Sequence, residues 1–98
     1  MKHLLRHLDK HLESRVRLAV MAMLVVADWV DFTTFKTELE LSDGNLASHL
    51  RKLEGEGYVE LRKGFVGRKT QTSYRATDLG RARFAKHVEA LAAMVKPD

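Results

Sequence analysis

Residues 42–76 read SDGNLASHLRKLEGEGYVELRKGFVGRKTQTSYRA, and the order of residue types within them decides the fold. Leu46, Leu50 and Leu53 recur at i, i+4 and i+7, a one-sided apolar stripe that predicts a helix. Beside that stripe, Asn45, Ser48, His49 and Lys52 form a polar, hydrogen-bonding face. Ser42 is a good N-cap, because its hydroxyl can accept from an unpaired amide of the first turn. Gly55 and Gly57 stop the helix, since glycine takes the left-handed conformation that helix ends commonly require. Tyr58 to Arg62 then alternates with period two, as a half-buried strand does. Gly64 and Gly67 are expected to bracket a turn, with Thr70 to Tyr74 as the return strand.

A leucine-ridged helix, a glycine stop and a basic hairpin together resemble the core of a winged helix-turn-helix. Leu39-x-Leu41-Ser42-Asp43-Gly44-Asn45-Leu46-x-x-His49-Leu50-x-x-Leu53-x-x-x-Gly57-Tyr58-Val59 is similar to the helix-turn-helix of small bacterial and archaeal regulators related to the MarR and ArsR groups. Arg68-Lys69-Thr70-x-Thr72-x-Tyr74-x-x-Thr77-x-x-Gly80 resembles their wing and the entry to their last helix. The likeness runs from about Leu8 to the C-terminus. It implies a mainly α (α+β) fold with a two- to three-stranded wing and an added C-terminal dimerisation helix. As a single domain, the chain would divide into an N-terminal helix over residues 1–12, a winged-helix core over 13–76 and the C-terminal helix over 77–96.

Charge is unevenly spread. The 98 residues carry a net +4, and residues 57–76 alone hold five Lys/Arg against one acid, Glu60, which equals the whole excess. A basic projection on a near-neutral body suits phosphates. A solvated hairpin whose cations only maintain solubility is the plainer alternative. There is no cysteine, which excludes disulfides, thiolate metal sites and thiol nucleophiles. Neither a nucleophile elbow nor a P-loop occurs, so catalysis is not expected, and no cofactor is implied. The longest apolar run, Leu18 to Val26, falls short of the roughly 20 residues of a membrane span and lacks a signal-peptide pattern. A soluble cytoplasmic protein without a membrane partner is the expectation.

At the N-terminus, Leu4, Leu5, Leu8 and Leu12 fall at helical spacing, and His3, His7 and His11 form a second row. Histidines four apart can share a metal, but nothing completes a tetrahedral set, so an exposed polar flank is expected rather than a metal site. Glu13 to Val30 is the most apolar segment and predicts a buried helix, the first of the core in the family pattern. Arg17 matches an arginine common before that run, serving either as an internal bond or as a phosphate contact. Trp29 is expected in the core or an interface. Thr33 to Leu39 predicts the second helix, with Thr33 or Thr34 as its N-cap. Beyond Thr77, a cap for the last helix, Phe84, Val88, Leu91 and Val95 are spaced four, three and four, the rhythm of packed helices. With Leu4, Leu5 and Leu8 they make the expected dimer seam; folding back onto the chain's own core is the alternative. Lys96-Pro97-Asp98 is expected to fray.

The helix over 42–56 would enter the major groove, where donors and acceptors distinguish all four base pairs. Asn45, Ser48, His49 and Lys52 would meet base edges or phosphates. The resemblance adds Asp43 and Gly44 at positions that approach bases, and Ser42, Thr33 and Thr34 at phosphates. The wing over 62–72, through Lys63, Arg68, Lys69 and Thr70, would lie on the flanking minor groove. The partner implied is double-stranded DNA, bound by a homodimer of repressor type at a pseudo-palindrome, with any small-molecule effector unidentified. The rival is a winged helix used for protein or RNA contact without specific DNA binding.

Overall fold

Four side-chain caps set where the helices begin. Ser14, Asp31, Ser42 and Thr77 each accept a hydrogen bond from the backbone N–H three residues on, satisfying a donor that the first helical turn leaves free. The computed structural model describes residues 1–96; the expected fraying of Pro97 and Asp98 lies outside the described residues. In chain order the elements are α1 (Lys2–His7), a 3-10 turn (Lys10–Leu12), α2 (Arg15–Val26), β1 (Val30–Asp31) and α3 (Phe32–Leu39). They continue with α4 (Asp43–Gly55), β2 (Val59–Val66), β3 (Lys69–Ala76) and α5 (Asp78–Met94). The sheet is antiparallel in the order β1-β3-β2. The winged helix-turn-helix with a three-stranded sheet and a C-terminal helix is therefore the architecture observed.

The leucine stripe of α4 is the centre of the core. Leu46, Leu50 and Leu53 pack with Val20, Met21 and Leu24 of α2, with Phe35 of α3 and with Val59, Tyr74 and Ala76 of the sheet. Each leucine, valine, methionine and phenylalanine among them contributes about 1.5–3 kcal/mol by leaving water. Phe35 also meets the ring of Tyr74 edge-on, 6.2 Å between centroids.

The observed elements differ from expectation at three places. The N-terminal segment is not one helix: α1 ends at His7, and the backbone is extended at Leu8. The Asp9 N–H then donates to Nδ1 of buried His87 on α5 (2.9 Å), and the Asp9 carboxylate accepts from the His11 N–H (2.8 Å) and from the Tyr58 hydroxyl. These bonds redirect the chain, so Leu12 points into the core and the row His3, His7, His11 does not exist. His11 instead pairs with Glu56 (3.2 Å), beside the Tyr58 ring. Among the described residues no three His, Asp or Glu side chains cluster as a metal site would need. Second, Asp31, not Thr33 or Thr34, caps α3; a carboxylate is a stronger acceptor than a hydroxyl, and Thr34 gives it both its N–H (3.1 Å) and its Oγ1 (2.6 Å). Third, Gly64 lies within β2, opposite Gln71, and does not flank the turn.

That turn is the two residues Gly67 and Arg68 between paired Val66 and Lys69. Gly67 takes φ +63° at the first central position, which a type II′ hairpin requires and other residues resist. At the base of the ribbon, α5 crosses β2 so closely that only glycine fits at position 80. No helix among the described residues is long and apolar enough to cross a membrane.

Candidate nucleic-acid interface

With Leu46, Leu50 and Leu53 turned inward, the opposite stripe of α4 is fixed by helical geometry. At 100° per residue it consists of Gly44, Ser48 and Arg51, flanked by Asn45 and Lys52. All five are exposed. Arg51 was not among the residues singled out from the sequence; its position opposite Leu46 and Leu53 was the signal that could have found it. Gly44 has open space around the place of a Cβ, so the helix backbone there is bare. Ser42 caps the helix with its hydroxyl 3.2 Å from the Asn45 nitrogen and remains exposed.

The other residues expected to face a ligand are partly engaged with their own chain. Asp43 is bound by Lys36 of α3 (2.9 Å), and Lys52 by Glu56 (3.4 Å). His49 is half-buried, its Nδ1 accepting from the Arg17 guanidinium at 2.9 Å, while Arg17 also donates to the His11 carbonyl (2.7 Å). Burial, and then the positive charge of Arg17, hold the His49 pKa below its ordinary value, which favours the neutral ring, and with Nδ1 accepting from Arg17 that ring carries its proton on Nε2. Of its two expected roles, Arg17 fills the internal one. Thr33 and Thr34 are exposed at the start of α3, but the Asp31 carboxylate already satisfies the amide there.

The wing divides its five cations into two classes. Arg62 lies over the single tryptophan, Trp29, with its guanidinium carbon 4.0 Å from the ring centroid, and Arg75 is 5.7 Å away. Arg75 also pairs with Asp28 (3.1 Å) and Glu60 (3.8 Å). These two arginines tie the ribbon to the body, the task that Trp29 performs in this fold. Lys63, Arg68 and Lys69 have no ion-pair partner among the described residues and, with Thr70, stand exposed toward the tip. No acidic residue lies between positions 61 and 77. The ribbon's outer pairs, Lys63↔Thr72 to Val66↔Lys69, carry the tip roughly 16 Å past Leu61, the last residue of β2 packed on the core, and the molecule measures 56 × 25 × 21 Å.

Of the residues expected at a dimer seam, Phe84 is half-buried and packs on the core, whereas Val88, Leu91 and Val95 continue its stripe into solvent. The N-terminal helix α1 lies against α5 of its own chain. Leu4 and Leu8 are half-buried in that arrangement, and Leu5 is exposed.

Comparison with known proteins agrees with this geometry. A family profile described as "Winged helix DNA-binding domain" matches residues 16–95, from α2 to the end of α5. The uncharacterized protein MJ0432 of Methanocaldococcus jannaschii is 35% identical over 79 residues, covering 81% of this chain and 86% of that protein. A transcriptional regulator homologue from Pyrococcus horikoshii OT3 superposes with a TM-score of 0.86 at 30% identity, over 97% of this chain and 95% of its own. The fold is shared also with Streptococcus pneumoniae FabT, solved in complex with DNA (TM-score 0.67, 24% identity, 84% of this chain and 57% of that one). It is shared again with ZitR, a zinc-responsive MarR family member of Lactococcus lactis (TM-score 0.65, 10% identity, 82% and 54%). With a family profile matched from α2 to the end of α5 and a relative 35% identical over 86% of its length, the chain belongs to the winged helix DNA-binding domain family.

Proposed function

We propose that this protein is a sequence-specific transcriptional regulator of double-stranded DNA, acting as a homodimer of repressor type. In this reading the helix over 42–56 enters the major groove, and Ser48, Asn45 and Nε2 of His49 present hydrogen-bonding groups to base edges. Lys52, Arg51 and Ser42 serve adjacent phosphates, Gly44 admits the DNA surface close to the helix, and Thr33 and Thr34 flank it. Asp43, held by Lys36, accepts from a cytosine amine only by giving up part of that pair. The wing over 62–72 lies on the neighbouring minor groove with Lys63, Arg68, Lys69 and Thr70 against its phosphates. Leu4, Leu5, Leu8, Phe84, Val88, Leu91 and Val95 line or support the seam between protomers.

The observation that carries the reading is the separation of cations within the wing. Arg62 and Arg75 are engaged by Trp29 and by acids, while Lys63, Arg68 and Lys69 are left free where the ribbon outruns the body. Free cations on a fixed ribbon next to an exposed polar helix favour a polyanion of regular shape over a protein surface.

The test is fluorescence anisotropy with labelled duplex across a salt series. Replacing Arg68 and Lys69 together by alanine should weaken binding to every sequence and flatten the log–log salt slope by about two. A slope equal to that of the parent protein removes the wing from the reading. Selection from a random-duplex pool should return an inverted repeat with half-sites about 34–36 Å apart.

A further inference from the structure

The ribbon keeps a strand's alternation beyond the point where there is a core to bury against. Val59, Leu61 and then Lys63 and Phe65 share one face of β2, opposite Ala76, Tyr74, Thr72 and Thr70. The inner pairs are covered by the helices; at Phe65 nothing is left to cover it, and the ring is 75% exposed. Val66, the last paired residue before the turn, is 61% exposed on the other face. Two large apolar side chains thus crown the tip, surrounded by Lys63, Arg68 and Lys69 with no nearby acid. Solubility gains nothing from a phenylalanine there, and phosphate contact alone would reward only the cations.

We propose that Phe65, with Val66 beside it, is an apolar wedge that the wing presses into the minor groove, against deoxyribose walls and a partly opened base step. This rests on the DNA-binding reading above and adds a recognition element to it. The charge pattern selects this occupant. The minor groove is a crevice about 6 Å wide with apolar sugar walls between two rows of phosphates, matching an apolar tip between cations. Side chains of this kind kink duplexes at steps that unstack cheaply, pyrimidine–purine steps above all. The wing then reads deformability where the α4 helix reads base edges.

The experiment compares the full-length protein with Phe65→Ser, Phe65→Leu and the Arg68→Ala/Lys69→Ala pair on end-labelled duplexes containing or lacking a TA step under the wing. Anisotropy gives affinity, energy transfer between the ends gives bending, and a salt series gives the slope. Phe65→Ser should bind about tenfold more weakly, the scale of one lost contact between an aromatic ring and a base. It should lose the bend and the preference for the TA step while keeping the parent salt slope. Phe65→Leu should keep the bend and lose less than about threefold in affinity, since leucine also serves as a wedge. The alanine pair should flatten the slope but leave the step preference. Thermal unfolding followed through Trp29 should be the same for Phe65→Ser as for the parent, the ring being exposed.

Equal affinity and equal bending in Phe65→Ser overturn the wedge and leave the DNA reading standing. Failure of the parent protein to bind any duplex in dilute salt removes that reading and the wedge with it. Phosphatidylglycerol vesicles are the third arm. Pelleting of the parent with them, lost in Phe65→Ser while duplex affinity is unchanged, would assign the tip to a lipid surface and overturn the proposal.

Discussion

A methyl group at Gly80 would lie 2.1 Å from the Tyr58 carbonyl oxygen, 2.9 Å from its carbon and 3.0 Å from the Met21 side chain. Two of those neighbours are backbone and cannot swing aside. That same carbonyl accepts the Thr77 N–H (3.0 Å), while the Thr77 hydroxyl donates to the Gly57 carbonyl (2.6 Å) and accepts the Gly80 N–H (3.0 Å). Glycine at 80 therefore lets α5 dock on the start of β2. Gly80→Ala should lower stability by about 3 kcal/mol, seen as a reduced urea midpoint. Gly44→Ala makes the contrast. Nothing lies near a Cβ at 44, which is helical, so stability should rise by about 0.5 kcal/mol through helix propensity. Equal effects at the two positions would refute the docking argument.

At the scale of elements, the bonds that hold α4 in place converge on one short stretch. Asp9 and His11 join α5 through His87, the residue preceding β2 through the Tyr58 hydroxyl and the end of α4 through Glu56, and the His11 carbonyl holds Arg17 against His49. Burial, then the Asp9 carboxylate, push the Tyr58 phenol up to about 12, so it stays a donor. The leucine stripe, the glycine stop and the Ser42 and Thr77 caps were legible in the sequence because each depends on residues a few positions apart. This junction was not, because Asp9 answers to partners 49 and 78 positions away. Local spacing reads Leu4 to Leu12 as one helix, and only the tertiary partners end it at His7. The same limit hid the division of the wing cations: composition counts five alike, and Trp29, Asp28 and Glu60 remove two. The neutral His49 makes the junction sensitive to acid. Its folded pKa lies below the ordinary 6.5, so as pH falls the unfolded chain takes up a proton before the folded one does. Stability from this residue is therefore complete above 6.5 and is lost as pH drops from there toward the folded value. Urea midpoints at pH 7.5 and 5.5 should fall with acid in the parent protein and fall less in His49→Gln. An equal drop in both would show that His49 does not titrate in this window.

For the whole molecule, charge and apolar surface oppose each other in a way that tests the assembly proposed. Each chain carries +4, so two copies repel, and that repulsion weakens as salt screens it. The stripe that would join them is uncharged: Val88 and Leu91 are about two-fifths exposed and Val95 is 82% exposed, along the flank of α5 beside the buried His87 and Ala90. A protein of this size gains from covering such a stripe, since small domains bury a modest share of their surface. Association and DNA binding should consequently answer to salt with opposite signs. Light scattering should find the dimer maintained or strengthened at high salt, where duplex binding is lost through competition for phosphates. Val88→Glu together with Leu91→Glu places two acids on the seam without disturbing the core. The pair should give a folded monomer that still binds single half-sites. Its affinity for an inverted repeat should fall by about 10²-fold or more, because the second half-site is no longer held at high effective concentration. If the double variant stays dimeric, the seam lies elsewhere. If the parent protein is itself monomeric and yet binds an inverted repeat with full affinity, twofold pairing plays no part in recognition.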